Sequence, residues 1–312
     1  MTGILQTIGR TPAVRLQSLP SENAGAVWVK LEGLNPTGSY KDRVALAMVE
    51  GAEEARASGA PAKRLLECTG GSTGTSLAFV CAAKGLGLTI ISSDAYARSK
   101  LDSMQALGAE LLIEPSLEGR VTPDLWPRMR ARAEALVAEG EHEWLDQFHN
   151  PHAPGGYAAM GEELVDQIEA PIDAFCGCVG TAGMIMGVGR VVRRRHPAAK
   201  IVALEPDTSA VLSGGPAGPH GIDGTAAGFV PPLFDRSVVT DVEAYSEEAA
   251  REMARRLARE EGIFAGTSSG MNVLAALQLA ERLGPGSTVA TVACDTGFKY
   301  LQESLFTSHE EH

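Results

Sequence analysis

Short, continuously apolar runs alternate with helical segments along almost the whole chain. Runs that are apolar on both faces are typical of parallel strands covered by helices on either side. The pattern therefore predicts an α/β fold with two domains, each a mostly parallel sheet flanked by helices, and ligands near the carboxyl ends of the strands. The predicted strands are Val27–Leu31, Arg64–Leu66, Leu88–Ser92, Glu110–Ile113, Ala174–Cys178, Lys200–Glu205 and Thr288–Cys294.

Length and charge limit the class of protein. The chain has 312 residues, of which 44% are hydrophobic, enough to bury full cores in roughly two domains. Its 27 basic and 39 acidic residues give a net charge of -12, so we expect no nucleic-acid partner. The first residues lack a signal segment, and no apolar run approaches the roughly 20 residues of a membrane span. We expect a cytoplasmic protein with no membrane partner.

The cysteines and histidines predict neither disulfides nor a metal site. The five cysteines are scattered in apolar runs, as is usual for buried thiols. Cys176 and Cys178 lack the spacing of a structural zinc site, and Pro151 separates His149 from His152 where a helix would be needed to align the rings.

One lysine lies between a tight turn and the start of a helix, within Asn35–Arg43. The turn residues precede an apolar helical pattern, for which Ser39 is a plausible N-cap. A lysine on the first helical turn feels the positive end of the helix dipole and the nearby Arg43, and both favour its neutral form. Such an amine can form a Schiff base, although a solvated surface lysine is the simpler alternative. Lys41 is therefore a candidate catalytic residue.

Two glycine-rich turns stand between a predicted strand and a predicted helix, at Glu67–Gly74 and Cys178–Met184. Backbone N–H groups at the start of a helix form a cradle for anions. Neither turn has the residues of a P-loop or of a dinucleotide fingerprint. Each turn either binds an anion or uses glycine for close packing, and the turns alone do not decide between these.

The order of these segments, followed by Gly266–Gly270, resembles the fold-type II pyridoxal-phosphate enzymes, and within them the cysteine synthase and cystathionine β-synthase family. The segment Thr7–Leu16 is similar to that family's opening T-I-G-N-T-P-L-V-R-L. Further matching segments are Glu32–Arg43, Gln147–Pro151, Gly218–Pro231 and Gly297–Phe306.

The resemblance implies a cofactor, pyridoxal 5'-phosphate, and a set of site residues. Lys41 would form the Schiff base with the cofactor and move the proton at Cα of an amino-acid substrate. Ser268 would face the pyridine nitrogen, and a neutral hydroxyl there makes the ring a weaker electron sink, which favours elimination across Cα and Cβ. The remaining implied cofactor residues are Ser72, Gly180, Thr181, Ala182, Gly183 and Met184. The implied substrate residues are Thr69, Gly70, Gly71, Ser72, Thr73, Gln147 and Thr225.

The resemblance implies β-elimination or β-replacement on an amino acid with a β leaving group. O-acetylserine, O-phosphoserine, serine or cysteine would give an aminoacrylate, which adds a nucleophile such as sulfide in a cysteine synthase-like reaction. The alternatives are a serine/threonine dehydratase or cysteine desulfhydrase, a degenerate ligand- or partner-binding homologue, and a nucleotide-binding α/β protein.

Three positions depart from the family pattern. Gly70 and Ser72 replace the serine and asparagine of T-S-G-N-T-G, and Ala226 replaces a glycine of G-I-G-A-G-F. Tyr40, beside Lys41, is interpreted as a helix-packing residue. The departures leave the choice of substrate open.

The resemblance also implies a domain arrangement. A smaller mobile domain, 41–146, would close over substrate, and 147–312 with 1–40 would form the larger domain, with the cofactor in the cleft between them. A homodimer is expected. The polar segment 119–147 is interpreted as a boundary region between the two halves.

Overall fold

The computed structural model describes residues 3–122, 124–302 and 304–306. Pro123, in the predicted boundary region, and Glu303, in the Gly297–Phe306 motif, lie outside the described residues. The chain forms two compact units. The first comprises the described residues up to Ile8 together with Lys41–Gly156, and the second comprises Gly9–Tyr40 and the described residues from Tyr157 onward. The predicted domain limits, and the mobility of residues 41–146, stay predictions.

The strands are β1 Ala13–Arg15, β2 Ala26–Leu31, β3 Arg64–Cys68, β4 Leu88–Ser93, β5 Glu110–Glu114, β6 His142–Trp144, β7 Ala174–Cys178, β8 Lys200–Pro206, β9 Asp241–Tyr245 and β10 Thr288–Ala293. The α-helices are α1 Lys41–Ala57, α2 Ser72–Lys84, α3 Arg98–Ala106, α4 Leu125–Ala138, α5 Ala153–Gln167, α6 Gly183–Arg195, α7 Glu247–Glu261 and α8 Thr267–Leu283.

The first unit is built on a sheet with the strand order β5-β4-β3-β6, in which neighbouring strands are parallel. β4 is buried along its whole length, as expected for a strand covered on both faces. Leu66 of β3, Ile91 of β4 and Met129 of α4 belong to one buried cluster, so α4 covers one face of this sheet. α1 packs along α2.

The second unit is built on a sheet with the order β1-β2-β10-β7-β8-β9. In the part of the chain that the structure describes, β1 pairs antiparallel with β2, and the other neighbouring strands are parallel. α8 packs against β10 and β7, and α7 packs on α8. The Ser246 side chain caps α7, whose C-terminus is closed by Gly262 with φ +69°.

These arrangements confirm the predicted α/β class and all seven predicted strands. The interpretation of 119–147 as a boundary region is wrong, because its helix α4 packs on β3 and its strand β6 pairs with β3. α1 begins at Lys41, and Ser39 forms an isolated bridge with Asp295. Within the described ranges, no helix combines the length and hydropathy needed to cross a lipid bilayer.

Candidate active site

Lys41 is the first residue of α1 and is 8% exposed. Its neighbours on the same helical turn, Asp42 and Arg43, are also buried. Long charged side chains are seldom buried unless they are paired or functional. The burial of Lys41 therefore argues against the simpler alternative of a solvated surface lysine. Tyr40, which precedes it, packs its ring on Tyr157 with centroids 5.4 Å apart, in line with the packing interpretation.

The loop Thr69–Thr73 connects β3 to α2 in the first unit. Gly71 is the N-cap of α2 and has no side chain with which to cap it, so the first N–H groups of the helix point outward from an uncapped end. The Thr69 hydroxyl accepts a hydrogen bond from the N–H of Gly71 at 3.3 Å. The loop carries hydroxyls but no charged side chain. Such an end suits a carboxylate, since its donors and the helix dipole both favour negative charge.

Gln147 is joined to this loop. The Thr73 hydroxyl donates to Gln147 Oε1 at 2.9 Å, and Gln147 Nε2 lies 3.4 Å from the carbonyl oxygen of Cys68. Thr73, Gln147 and Thr69 are all buried. The structure thus brings together two segments of the first unit that the sequence separates by 74 residues.

Glu67 lies beneath the loop and was not singled out as a site residue. One carboxylate oxygen accepts from the N–H of Cys68 at 3.0 Å, and the other accepts from the N–H of Gln147 at 3.2 Å. Burial raises the pKa of Glu67 to about 8; repulsion from Asp146 adds to this rise, whereas the backbone hydrogen bonds oppose it. A signal was available, because Glu67 is an acidic residue at the end of a strand that is otherwise apolar from Leu65 onward.

The second glycine turn, Gly180–Met184, connects β7 to α6 in the second unit. Ala182 has φ +69°, in the left-handed region, and is the N-cap of α6, where its methyl group cannot accept a hydrogen bond. A Cβ on Gly180 would lie 2.2 Å from the carbonyl oxygen of Gly224, so this position accepts only glycine without a backbone shift. The turn therefore presents backbone N–H donors at an uncapped helix end, which is the donor set a phosphate requires.

Thr225 lies in the loop that contacts this turn. The N–H of Ala226 donates to the carbonyl oxygen of Val179 at 2.8 Å, and the Thr225 hydroxyl donates to the carbonyl of Ile222 at 2.8 Å. Ala226 has φ +40°, a conformation that glycine adopts more easily. This explains why the family has glycine there, and it makes Ala226 a locally strained residue.

Ser268 is on the first turn of α8 and is 5% exposed. Its hydroxyl hydrogen-bonds the Cys294 thiol, whose pKa is nevertheless raised well above its usual value by hydrogen bonding with Cys178 and by burial. Gly266, the N-cap of α8, leaves that helix end without a side-chain cap. The buried Asp295 carboxylate also lies at this helix end, since a Cβ on Gly266 would be 2.8 Å from its Oδ1. Ser268 is therefore a buried hydroxyl with an acidic side chain near the start of its helix.

These residues fit pyridoxal phosphate. The uncapped α6 turn suits the phosphate, the buried lysine suits the aldehyde, and the uncapped α2 loop suits a substrate carboxylate. The first unit carries Lys41, Thr69–Thr73 and Gln147, while the second carries Gly180–Met184, Thr225 and Ser268. No cluster of three or more His, Cys, Asp or Glu side chains suited to a metal is present among the described residues.

Comparison with known proteins identifies the same family as the sequence motifs. The family profile described as "Pyridoxal-phosphate dependent enzyme" matches residues 4–295. The chain is 41% identical over 308 residues to a cysteine synthase of Staphylococcus aureus, which covers 97% of this chain and 96% of that protein. It is 38% identical to an O-ureido-L-serine synthase of Streptomyces lavendulae, over 99% of this chain and 93% of that protein.

Among solved structures, the fold is similar to that of the O-acetyl serine sulfhydrylase isoform 3 from Entamoeba histolytica. The TM-score is 0.92 at 32% sequence identity, covering 100% of this chain and 93% of that one.

Proposed function

Because this chain belongs to the pyridoxal-phosphate dependent enzymes, as a β-replacement enzyme of the cysteine synthase family, we propose that its first substrate is O-acetyl-L-serine and its nucleophile is sulfide. In the proposed reaction the bond between Cβ and the ester oxygen breaks, a bond between Cβ and sulfur forms, and HS⁻ is consumed as acetate leaves. The products are L-cysteine and acetate.

One observation carries this proposal: the uncapped N-terminus of α2, with the Thr73 hydroxyl hydrogen-bonded to Gln147 beside it. It offers a neutral, donor-rich loop to the carboxylate that every α-amino acid has. The choice of an acetyl ester and of sulfide is supported by the 41% identity to a cysteine synthase over nearly the full length of both proteins.

The roles of the individual residues follow from this assignment. Bound pyridoxal phosphate supplies the electron sink that makes the proton at Cα of an amino acid removable. Lys41 Nζ holds the cofactor through its aldehyde carbon and removes and returns the Cα proton. Thr69–Thr73 hold the substrate carboxylate, with Gln147 fixing Thr73 and Thr225 contacting substrate.

The other cofactor residues act on the phosphate and the ring. The N–H groups of the Gly180–Met184 turn bind the phosphate, and Ser72 and Ser268 contact the ring. A neutral Ser268 hydroxyl leaves the pyridine nitrogen without a carboxylate partner, which favours loss of a β substituent over transamination.

The proposed role of Lys41 is tested by labelling. The wild-type protein incubated with pyridoxal phosphate should be yellow, and borohydride should fix the cofactor to the peptide that contains Lys41. Lys41→Ala should lose this label and at least about a hundred-fold of kcat/KM, because general base catalysis contributes about 10²–10⁴-fold. Lys200→Ala, which alters an exposed lysine at the start of β8, is the matched control and should keep the label and the wild-type kcat/KM. Labelling of another lysine in the wild type would overturn the role of Lys41.

The substrate assignment is tested by comparing first substrates. O-acetyl-L-serine, O-phospho-L-serine, L-serine and L-cysteine should each be assayed with sulfide, and cysteine formation should be fastest with the acetyl ester. Release of pyruvate and ammonia as the main products, with or without sulfide, would instead show a dehydratase or desulfhydrase. A higher kcat/KM for any of the other three substrates would contradict the proposed ester.

We also propose a homodimer. Several large apolar side chains are exposed in the single chain, and burial of such side chains between two copies would stabilise a dimer. Light scattering during gel filtration should give twice the monomer mass. The exposed apolar side chains include Ile4, Leu34, Val230, Phe298 and Leu301.

A further inference from the structure

The ring of Tyr96 lies directly against the backbone of Gly70. A Cβ placed on Gly70 would be 2.0 Å from Cδ2 and 2.1 Å from Cγ of this ring. Cγ is the ring atom nearest the tyrosine backbone, so a small rotation of the side chain cannot remove the overlap. Gly70 and Tyr96 therefore depend on each other: any side chain at 70 would have to displace the ring.

The position of Tyr96 is fixed by its own loop. Its N–H donates to the carbonyl of Ser93 at 3.2 Å, and the ring packs on the buried cluster that contains Leu66 and Ile91. Asp94 also holds the β4–α3 loop in place, since its Oδ1 accepts a hydrogen bond from the N–H of Ser116 at 2.7 Å. Tyr96 thus comes from the β4–α3 connection but lies on the loop that follows β3.

Resting on the proposed function, in which the Thr69–Thr73 loop holds the substrate carboxylate, we propose that Tyr96 forms a wall of the first-substrate site and selects a neutral ester as the β leaving group. The face of an aromatic ring carries negative electrostatic potential. The loop 69–73 has no cationic side chain. Asp94 lies two residues before Tyr96 and Arg98 two residues after it, and the charge of Arg98 is paired with Asp102, whose Oδ1 is 2.7 Å from Arg98 Nε. A phosphate ester is disfavoured beside such a surface, whereas an acetyl ester is not.

The pairing also gives a reason for a departure from the family pattern. Glycine at 70 replaces the serine of T-S-G-N-T-G, so the loop lacks one hydroxyl. The Tyr96 ring occupies the space that a side chain at position 70 would need. Tyr96 escapes notice in the sequence because it is 26 positions from Gly70, and the contact depends on the parallel pairing of β3 with β4.

A double-mutant cycle tests this proposal. Gly70→Ala, Tyr96→Ala and the double variant should be compared with wild type by KM for O-acetyl-L-serine and by the Kd of L-alanine, an amino acid without a β leaving group, measured from the change in cofactor absorbance on titration. Gly70→Ala alone should raise both about ten-fold, but by less than two-fold in the Tyr96→Ala background. The KM for sulfide should change by less than two-fold. Tyr96→Ala should narrow the preference for O-acetyl-L-serine over O-phospho-L-serine by about ten-fold.

Melting of the cofactor-free variants is the second measurement. Gly70→Ala should melt at a lower temperature than wild type. When both proteins also carry Tyr96→Ala, Gly70→Ala should lower the melting temperature by less. Gly155→Ala is the matched control, because a Cβ there meets no described atom within 4 Å, and it should not lower the melting temperature.

Two results would overturn the role of Tyr96. One is a non-additive effect of the two substitutions on the melting temperature with no change in the amino-acid Kd, which would make the pair a packing contact only. The other is an unchanged ester preference in Tyr96→Ala. Failure of the wild type to form cysteine from any first substrate would overturn the proposed function instead, and amino-acid titration would still report on Tyr96.

Discussion

Glu67 is a buried acid whose two oxygens hold the segments on either side of the candidate carboxylate loop. Its bonds to the N–H groups of Cys68 and Gln147 tie β3 to the chain that carries Gln147. Since Gln147 in turn accepts from Thr73, Glu67 acts on the loop at one remove, as a positioning residue.

Protonation of Glu67 should make the stability of the protein depend on pH. Its pKa is about 8 in the folded state and about 4.3 in an unfolded chain, so between these values the folded state binds more protons. The free energy of unfolding should therefore fall as the pH rises from about 5 to about 8, with a contribution of the order of 1 kcal/mol per pH unit from this residue. In Glu67→Gln, which does not titrate, this part of the slope should disappear.

Urea unfolding at pH 5.5, 6.5 and 7.5 measures the slope. Glu110→Gln, at an exposed position on β5 of the same sheet, is the matched control. If the free energy of unfolding has the same pH dependence in wild type and Glu67→Gln, Glu67 does not titrate in this range.

How much of the site could be predicted from sequence differs between residues. Lys41, Thr69–Thr73 and Gly180–Met184 each lie in a local strand-turn-helix pattern, which turn and capping rules identify. Turn and capping rules do not identify Tyr96 or Glu67. The role of Tyr96 depends on a contact across β3 and β4, whereas the acidic residue in an otherwise apolar strand was the one signal for Glu67. For Ala226, the sequence shows only that a glycine of the family pattern is replaced, and the positive φ angle is known from the structure.

At the scale of single elements, the start of α6 is the most constrained part of the candidate phosphate site. Gly180 approaches the Gly224 carbonyl so closely that no side chain fits between the turn and the 224–226 loop. Ala182 adds a left-handed residue at the N-cap. Two unusual backbone positions within three residues are typical of functional turns.

Gly180→Ala should weaken cofactor binding. The added Cβ must displace the turn from Gly224, and losing one or two hydrogen bonds to a charged phosphate raises Kd roughly ten-fold or more. Fluorescence titration of the cofactor-free protein with pyridoxal phosphate measures this. Gly25→Ala, whose Cβ would collide with the backbone of Ser287, is the control, which should lower the melting temperature but leave Kd unchanged. Equal Kd values for both variants would contradict the assignment of the turn.

The strands that sequence reasoning missed share a physical property. β1, β6 and β9 are short or partly exposed strands, and their residues are a mixture of polar and apolar types. β1 and β9 are the outer strands of their sheet, and β6 is an outer strand of the other. An edge strand gains its pairing from a neighbour rather than from an apolar pattern of its own, so its sequence carries a weak signal.

At the scale of the whole molecule, the five cysteines are all free and buried. Burial raises the pKa of Cys81 and of Cys176 to about 12, and it also raises that of Cys68. Because the thiolate is the reactive form, a disulfide-exchange reagent such as Ellman's should react slowly with the folded protein and release five equivalents after denaturation. Rapid reaction of one thiol in the folded state would show that its burial is incomplete, and Cys178→Ser and Cys294→Ser would then identify it.

The order in which the ribosome releases the chain bears on how the second sheet is assembled. β2 pairs on one side with β1 and on the other with β10, with Ala26 opposite Thr288. At about 5–20 residues per second, β2 emerges roughly 13–50 seconds before its parallel neighbour exists. During translation an apolar strand therefore waits with one edge unpaired, and that interval is when the nascent protein most needs a chaperone.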